Sequence, residues 1–160
     1  MKLFLFAMAV AAREIPAVLT GASVVSTPPV AIARTEAVEI LAEAGMTARF
    51  HGSIGQCRKR FGCIEVKLIE TAPADLASGI MAQARFREGQ ELWIFLDRVR
   101  KSGGSGIFPR VLAHVIVHEI VHLTRRSSWH AESGIMKARW DRTDYAAMRR
   151  GRLGLTLASN

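Results

Sequence analysis

Apolar residues alternate with polar ones in some segments of the chain and recur at helical spacing in others, which predicts both strands and helices. In segment 64–71, Ile64, Val66 and Leu68 alternate with charged residues, which indicates a strand with one buried face. Segment 91–99 is apolar on both faces, which predicts a strand inside a sheet. The other predicted strands are residues 16–25, residues 46–51 and an edge strand at residues 81–86.

Three segments show helical spacing. The first covers residues 30–44, with Thr27 as its capping residue and Gly45 as its stop. The second is a long helix with a broad apolar surface, opened by Pro109 and running to about Thr124. A Gly/Ser loop is predicted at residues 101–106 and a weaker helix at residues 143–151. This order predicts an α+β fold with a twisted mixed β-sheet of about four to five strands, a backing helix and a second long helix.

The composition is that of one ordered domain. The 160 residues are 49% hydrophobic and 22% charged, which suits a single core and argues against a disordered chain. The net charge is +8, which we interpret as a basic soluble surface; the alternative is a surface that attracts nucleic acid, anionic membrane or acidic substrates. Because no basic stretch is interleaved with aromatic residues, no nucleic-acid partner is expected. We expect one domain at residues 13–160, with a monomer as the expected state.

Residues 1–12 have the pattern of a secretion signal. Lys2 precedes an unbroken apolar stretch at residues 3–12, and small residues before Arg13 form a cleavage site. That stretch is too short to cross a bilayer as a helix, and the next uncharged run, residues 15–32, is interrupted by glycine and prolines. We therefore expect a secreted or periplasmic protein without a membrane span; an ordinary first strand is the alternative.

The two cysteines, Cys57 and Cys63, are the whole cysteine inventory and lie six positions apart. Their spacing fits no CxxC metal or redox pattern. With a predicted secretion signal, a disulfide is the favoured interpretation, and two free thiols are the alternative. The bridge would close a short loop, which is worth about 2 kcal/mol in the chain-entropy model.

The strongest chemical signal is the pentapeptide His118-Glu119-Ile120-Val121-His122 on the predicted long helix. Residues four apart on a helix lie one above the other, so His118 and His122 can bind one metal ion, expected to be Zn²⁺. Glu119 is close enough on the same side to take a proton from a water held by the metal. The carboxylic acid so formed can return the proton to a leaving amine.

A catalytic zinc needs a third protein ligand. His130 follows eight positions after His122, far enough for the helix to end and the chain to turn back. The competing third ligands are Glu132, Asp141 and Asp144.

With His130 and the following Gly134-Ile135-Met136, the motif resembles the metzincin clan of zinc endopeptidases, and its matrixin branch most. It is also similar to a group of small, uncharacterised secreted bacterial proteins with the same step from second to third histidine, followed by Gly-Ile-Met. The metzincin resemblance covers residues 111–140 in detail and the preceding strand–helix order in outline. It implies a metzincin-like fold, with the long helix as the active-site helix, and hydrolysis of peptide bonds in peptide or protein substrates.

The same resemblance implies roles for two more residues. Met136 would form a turn beneath the metal as a hydrophobic floor, and His114 would line the pocket for the substrate residue after the scissile bond. The chain departs from the family at Arg125, where a glycine is usual, and by two extra residues before His130. Tyr145 could stabilise an oxyanion, although nothing in its spacing supports this.

Three functions compete. The first is a secreted zinc endopeptidase that pairs an extended peptide with the predicted edge strand. The second is an intracellular, DNA-associated zinc protease of the SprT-like kind, which the signal-like segment and the cysteine pair disfavour. The third is a non-catalytic metal-stabilised binding module, which Glu119 disfavours because a purely structural site needs no such carboxylate.

Overall fold

The computed structural model describes residues 13–21, 23–85, 90–104 and 106–157. The predicted signal segment, residues 1–12, lies outside the described residues. The strands are β1 (Ile15–Gly21), β2 (Ala48–Phe50), β3 (Ile64–Ile69), β4 (Ala82–Arg85) and β5 (Gln90–Phe95). The helices are α1 (Pro28–Glu43), α2 (Ile54–Arg58), α3 (Leu96–Gly103), α4 (Phe108–Arg125) and α5 (Arg142–Arg150), with a 3₁₀ turn at Ser23–Ser26.

The five strands form one mixed sheet in the order β2-β1-β3-β5-β4. Strands β2, β1, β3 and β5 are parallel to one another, while β4 runs antiparallel to β5. The sheet and its helices confirm the predicted α+β fold with a mixed sheet. Strand β4 lies at the sheet edge, which confirms the edge strand predicted at residues 81–86.

Helices α1 and α4 pack against each other and, with inward side chains of the strands, enclose one core. The helical spacing that predicted α1 puts Val30, Ala33 and Ala37 in that core. Gly45 follows the helix with a φ of +76°, a conformation that favours glycine. Thr27 lies at the N-cap position, but its hydroxyl donates to the Val24 carbonyl and makes no capping bond to the helix.

The prediction of a strand over residues 91–99 is wrong beyond Phe95, where α3 begins and takes up half of the predicted Gly/Ser loop. Leu96 and Val99, three positions apart, turn to the core on one side of this helix. Tertiary contacts favour the helix, because the Asp97 carboxylate accepts the Ala72 N–H and the Arg98 guanidinium donates to carbonyls of residues 76–80. An alternating pattern read locally cannot include these contacts.

Cys57 and Cys63 form the predicted disulfide, with their Cα atoms 5.5 Å apart. The bridge joins α2 to the start of β3, and Cys57 is fully buried. A disulfide is compatible with an extracellular location. Within the described ranges, none of the helices has the length and apolar character that crossing a membrane would require.

Candidate metal centre

Helix α4 presents two histidines and a glutamate to a cleft beside the sheet edge. His118 and His122 lie one turn apart and, with Glu119, line the cleft. The opposite side of the helix carries apolar residues that are buried in the core, so the helix cannot rotate without exposing them. The packing of α4 therefore fixes the direction in which the polar residues point.

After α4 the chain turns back sharply and delivers a third histidine. Arg126 takes a left-handed conformation, with a φ of 48°, and its N–H bonds to the His122 and Leu123 carbonyls. This turn is made without a glycine, one residue later than Arg125, where metzincins usually have one. The exposed loop that follows returns His130 to the two helical histidines.

The Nε2 atoms of the three histidines converge. The distance from His122 Nε2 is 2.9 Å to that of His118 and 3.2 Å to that of His130, and the possible ligand atoms all lie within 4.8 Å of one another. Two nitrogens bonded to one tetrahedral zinc at about 2.0–2.1 Å are separated by ~3.3 Å. The three side chains can therefore hold one metal ion with little rearrangement.

Backbone carbonyls determine which ring nitrogens face the centre as acceptors. His118 Nδ1–H donates to the Ile135 carbonyl at 2.8 Å, and His122 Nδ1–H donates to the Ser127 carbonyl at 2.7 Å. A carbonyl accepts only, so each neutral ring carries its proton on Nδ1 and keeps a lone pair on Nε2. Such lone pairs repel at these distances, and a cation among them would remove that repulsion.

Burial keeps these imidazoles neutral. It lowers the pKa of His118 to about 4, with a smaller contribution from the neighbouring histidines, and it also lowers the pKa of His122. Neutral imidazole is the form that binds metals. Burial has the opposite effect on the carboxyl of Glu119, because it raises the pKa of that group to about 7. Glu119 has no hydrogen-bond or ion-pair partner among the described residues and lines the cleft.

The turn Gly134-Ile135-Met136 supports the first histidine. Gly134 has a φ of +77°, and a Cβ there would lie 2.4 Å from the Gly154 carbonyl oxygen, so only glycine fits. This conformation brings the Ile135 carbonyl to His118, while the Met136 side chain is buried in the core. The role of Met136 as a floor beneath a metal stays a prediction.

The placement of His114 contradicts the predicted pocket role. Its ring is fully buried, with Nδ1–H donating to the Arg110 carbonyl at 2.7 Å and Nε2 accepting the Leu153 N–H at 3.0 Å. The next residue, Val115, lines the cleft instead. Spacing on one helix face could not show that the C-terminal segment would cover His114.

His114 is nevertheless connected to the metal centre through backbone groups. It holds Leu153, and the adjoining Gly154 carbonyl accepts the Ile135 N–H at 2.9 Å. The carbonyl of Ile135 in turn accepts the Nδ1–H of His118. The C-terminal segment therefore helps to position Ile135, whose carbonyl orients His118. Hydrogen-bond partners of this kind generally orient metal-ligating histidines.

Replacing His114 by phenylalanine is expected to weaken metal binding about tenfold. The Leu153 N–H would lose its acceptor, and the neighbouring Gly154 carbonyl would then hold the Ile135 N–H less firmly. Metal dissociation constants, measured by competition with a chromophoric chelator on folded protein, check this. Leu41→Ala is the control, since it leaves a cavity in α1 and lowers stability without touching this path. Equal metal affinities in the two variants would show that His114 acts on stability alone.

The cleft has a volume of about 1080 Å³. Ser78 to Gln83 form one side, which includes the first residues of β4, and the three histidines and Glu119 form the floor. Trp140 and Tyr145 complete the wall, with their rings in edge-to-face contact at 6.4 Å. Burial raises the pKa of Tyr145, so its hydroxyl stays protonated. The spacing of Tyr145 in the sequence did not indicate a place in the cleft, because only the folding of α5 brings it there.

The competing third ligands have other partners. Asp141 caps α5 by accepting the Thr143 and Asp144 N–H groups, and its bond from Lys137 holds the pKa of its carboxyl well below the ordinary range. Asp144 accepts from Lys137 and from the Asp141 N–H. Glu132 is exposed and lies outside the cluster of possible ligand atoms. The described residues thus favour His130 as the third member.

Comparison of the chain with models of known protein families gives no match. No curated protein matches it either.

Proposed function

We propose that the protein is a zinc-dependent peptidase, of metzincin-like type, that hydrolyses peptide bonds within its cleft. The observation that carries this proposal is the convergence of three imidazole Nε2 atoms in an open cleft beside Glu119, a carboxylate that has no partner among the residues the structure describes. A purely structural site has no use for that carboxylate.

Three converging imidazoles favour zinc among the common metals. Calcium and magnesium prefer oxygen ligands, and copper(I) prefers sulfur, whereas zinc binds imidazole and tolerates an incomplete protein shell. Three protein ligands are also the number that catalytic zinc sites use. When bound, zinc would lower the pKa of a water molecule and polarise a substrate carbonyl.

The residues of the chain supply the proton transfers. Glu119 accepts a proton from the attacking water and, as a carboxylic acid, donates it to the leaving amine. Its burial in the cleft floor strengthens each of these interactions, since little water screens them. Tyr145 stands in the cleft wall as a neutral hydroxyl that can donate to developing negative charge on the substrate.

Strand β4 offers a binding surface for the substrate backbone. It pairs with β5 on one side only, and its first residues line the cleft. An extended peptide can add to this edge as a further strand, with backbone hydrogen bonds that do not depend on its sequence. This arrangement supports cleavage within a chain, because neither end of the peptide needs to be recognised.

Hydrolysis of a fluorogenic peptide library, with and without a chelator, tests the proposal. We expect activity to fall to background when the metal is removed and to return with about one equivalent of Zn²⁺ per chain. A metal-stabilised binding module would bind zinc with the same stoichiometry and hydrolyse nothing. Activity that survives complete metal removal would contradict the proposed mechanism.

A further inference from the structure

A second feature of the molecule lies in the loop closed by the disulfide. Between the bridged cysteines stand Arg58, Lys59, Arg60 and Phe61. Arg58 pairs with Glu65 at 3.1 Å, whereas Lys59 and Arg60 have no ion-pair partner among the residues that the structure describes. Phe61 is 85% exposed, which is unusual for an aromatic side chain. The loop therefore presents free cations beside an exposed apolar ring.

Neighbouring elements add more positive charge. The Arg13 guanidinium lies 4.7 Å from the centre of the Phe61 ring, and Arg49 comes from the edge strand β2. We call the five residues Arg13, Arg49, Lys59, Arg60 and Phe61 the basic loop face.

Three of these cations open onto a pocket of about 510 Å³. The described residues that line it are Arg49, His51, Gln56, Lys59 and Arg60, and none of these is acidic. The His51 Nε2 atom is buried and has no hydrogen-bond partner within the described part of the chain. A buried polar atom without a partner is costly, and a ligand oxygen would satisfy it.

The chemistry of the pocket suits a phosphate group. Two guanidinium groups and an ammonium, with a free imidazole nitrogen and an amide, offer many donors to an oxyanion. A volume of about 510 Å³ exceeds what a bare oxyanion fills and is in the range of pockets for larger molecules. The ligand therefore bears its phosphate on a larger group.

We propose that the basic loop face docks the protein on a membrane surface rich in anionic phospholipid, with a lipid phosphate in the pocket and Phe61 in the headgroup region. Cations attract anionic lipid, and an apolar ring among them adds the second signal that stable interfacial binding needs. The disulfide favours an oxidising compartment, where phospholipid surfaces are more accessible than nucleic acid.

The position of this face leaves the metal centre accessible. The face includes the edge strand β2, whereas the cleft adjoins β4 at the other edge of the sheet. Four strand spacings of about 4.8 Å separate the two edges by ~19 Å. A docked molecule can therefore keep its cleft open to peptides in solution, and the docking does not depend on whether the cleft is catalytic.

Co-sedimentation of the full chain with phosphatidylglycerol and phosphatidylcholine vesicles tests the proposal. We expect binding to the anionic vesicles only. The double variant Lys59→Gln/Arg60→Gln should lower the affinity about 25-fold, because each cation near an anionic surface is worth roughly a factor of five. Phe61→Ser should lower it roughly tenfold, through loss of the apolar contact.

The matched control is Arg142→Gln/Arg150→Gln, which removes the same charge from exposed positions on α5 and should keep the affinity within about twofold. Equal weakening by both double variants would overturn the proposal, because net charge alone would then explain binding. The proposal would also be overturned if millimolar inorganic phosphate displaced the protein from the vesicles and Phe61→Ser had no effect on binding. That result would indicate a site for soluble phosphate. Binding to duplex DNA as strong as binding to anionic vesicles, and weakened by Lys59→Gln/Arg60→Gln, would also overturn it.

Discussion

Replacing Glu119 by glutamine is expected to lower the rate of peptide hydrolysis by about 10³-fold while the chain keeps its metal ion. The amide has nearly the same shape as the carboxylate but cannot accept the proton of the attacking water. Because Glu119 contacts none of the three histidines through a hydrogen bond, its substitution leaves their Nδ1 partners and their convergence intact. Activity on a fluorogenic peptide and metal content per chain are measured on the same sample.

Glu132→Gln provides the matched control, since it makes the same chemical change at an exposed position next to the histidine cluster and outside the cleft. It should retain wild-type activity and metal. Activity of Glu119→Gln within a few-fold of wild type would exclude proton transfer by Glu119. Loss of metal from Glu119→Gln would instead indicate that this carboxylate belongs to the binding set.

Replacing His130 by alanine is expected to weaken metal binding by at least about 100-fold, because two imidazoles remain where three converge. His130 is the informative choice among the three, since it lies in an exposed loop and contributes nothing to the core. Its substitution should leave the thermal unfolding of the metal-free protein unchanged. The measurement is a competition titration with a chelator of known zinc affinity.

Ser128→Ala changes the same loop without removing an imidazole and should keep wild-type affinity. An unchanged metal affinity in His130→Ala would assign the third ligand elsewhere, and titration of Asp141→Asn and Asp144→Asn would then identify it. The present contacts argue against both aspartates, because Asp141 and Asp144 cap the start of α5 and each forms a salt bridge with Lys137.

The parts of the fold that sequence predicts are those decided by local pattern. The apolar spacing of α1 and the alternation of Ile64, Val66 and Leu68 in β3 are confirmed, because these apolar residues are buried in the core. The broad apolar surface predicted for α4 is also confirmed, and residues 111–117 of that helix are buried on all sides. Helix α3 was missed, since its apolar residues fit a strand equally well and the deciding bonds of Arg98 reach residues some twenty positions away. A local pattern of apolar residues contains no information about bonds to such distant loop carbonyls.

The residues of the candidate site also fall into those that local sequence predicts and those that only the folded chain brings together. His118 and His122 follow from helical geometry alone, and His130 from its proximity in sequence. The burial of His114 depends on its bond to Leu153 in the C-terminal segment, and the place of Tyr145 in the cleft depends on α5. The sequence distances of His114 and Tyr145 from the His118–His122 motif do not predict these contacts, which are seen only in the folded chain.

The central claim is that one zinc ion is held jointly by the three histidines. An anomalous difference map from crystals of the zinc-loaded protein, collected at the zinc absorption edge, tests it most directly. We expect one peak at about 2.0–2.1 Å from the Nε2 atoms of His118, His122 and His130. A peak bonded to only two of these histidines, or found only at another site in the chain, would contradict it.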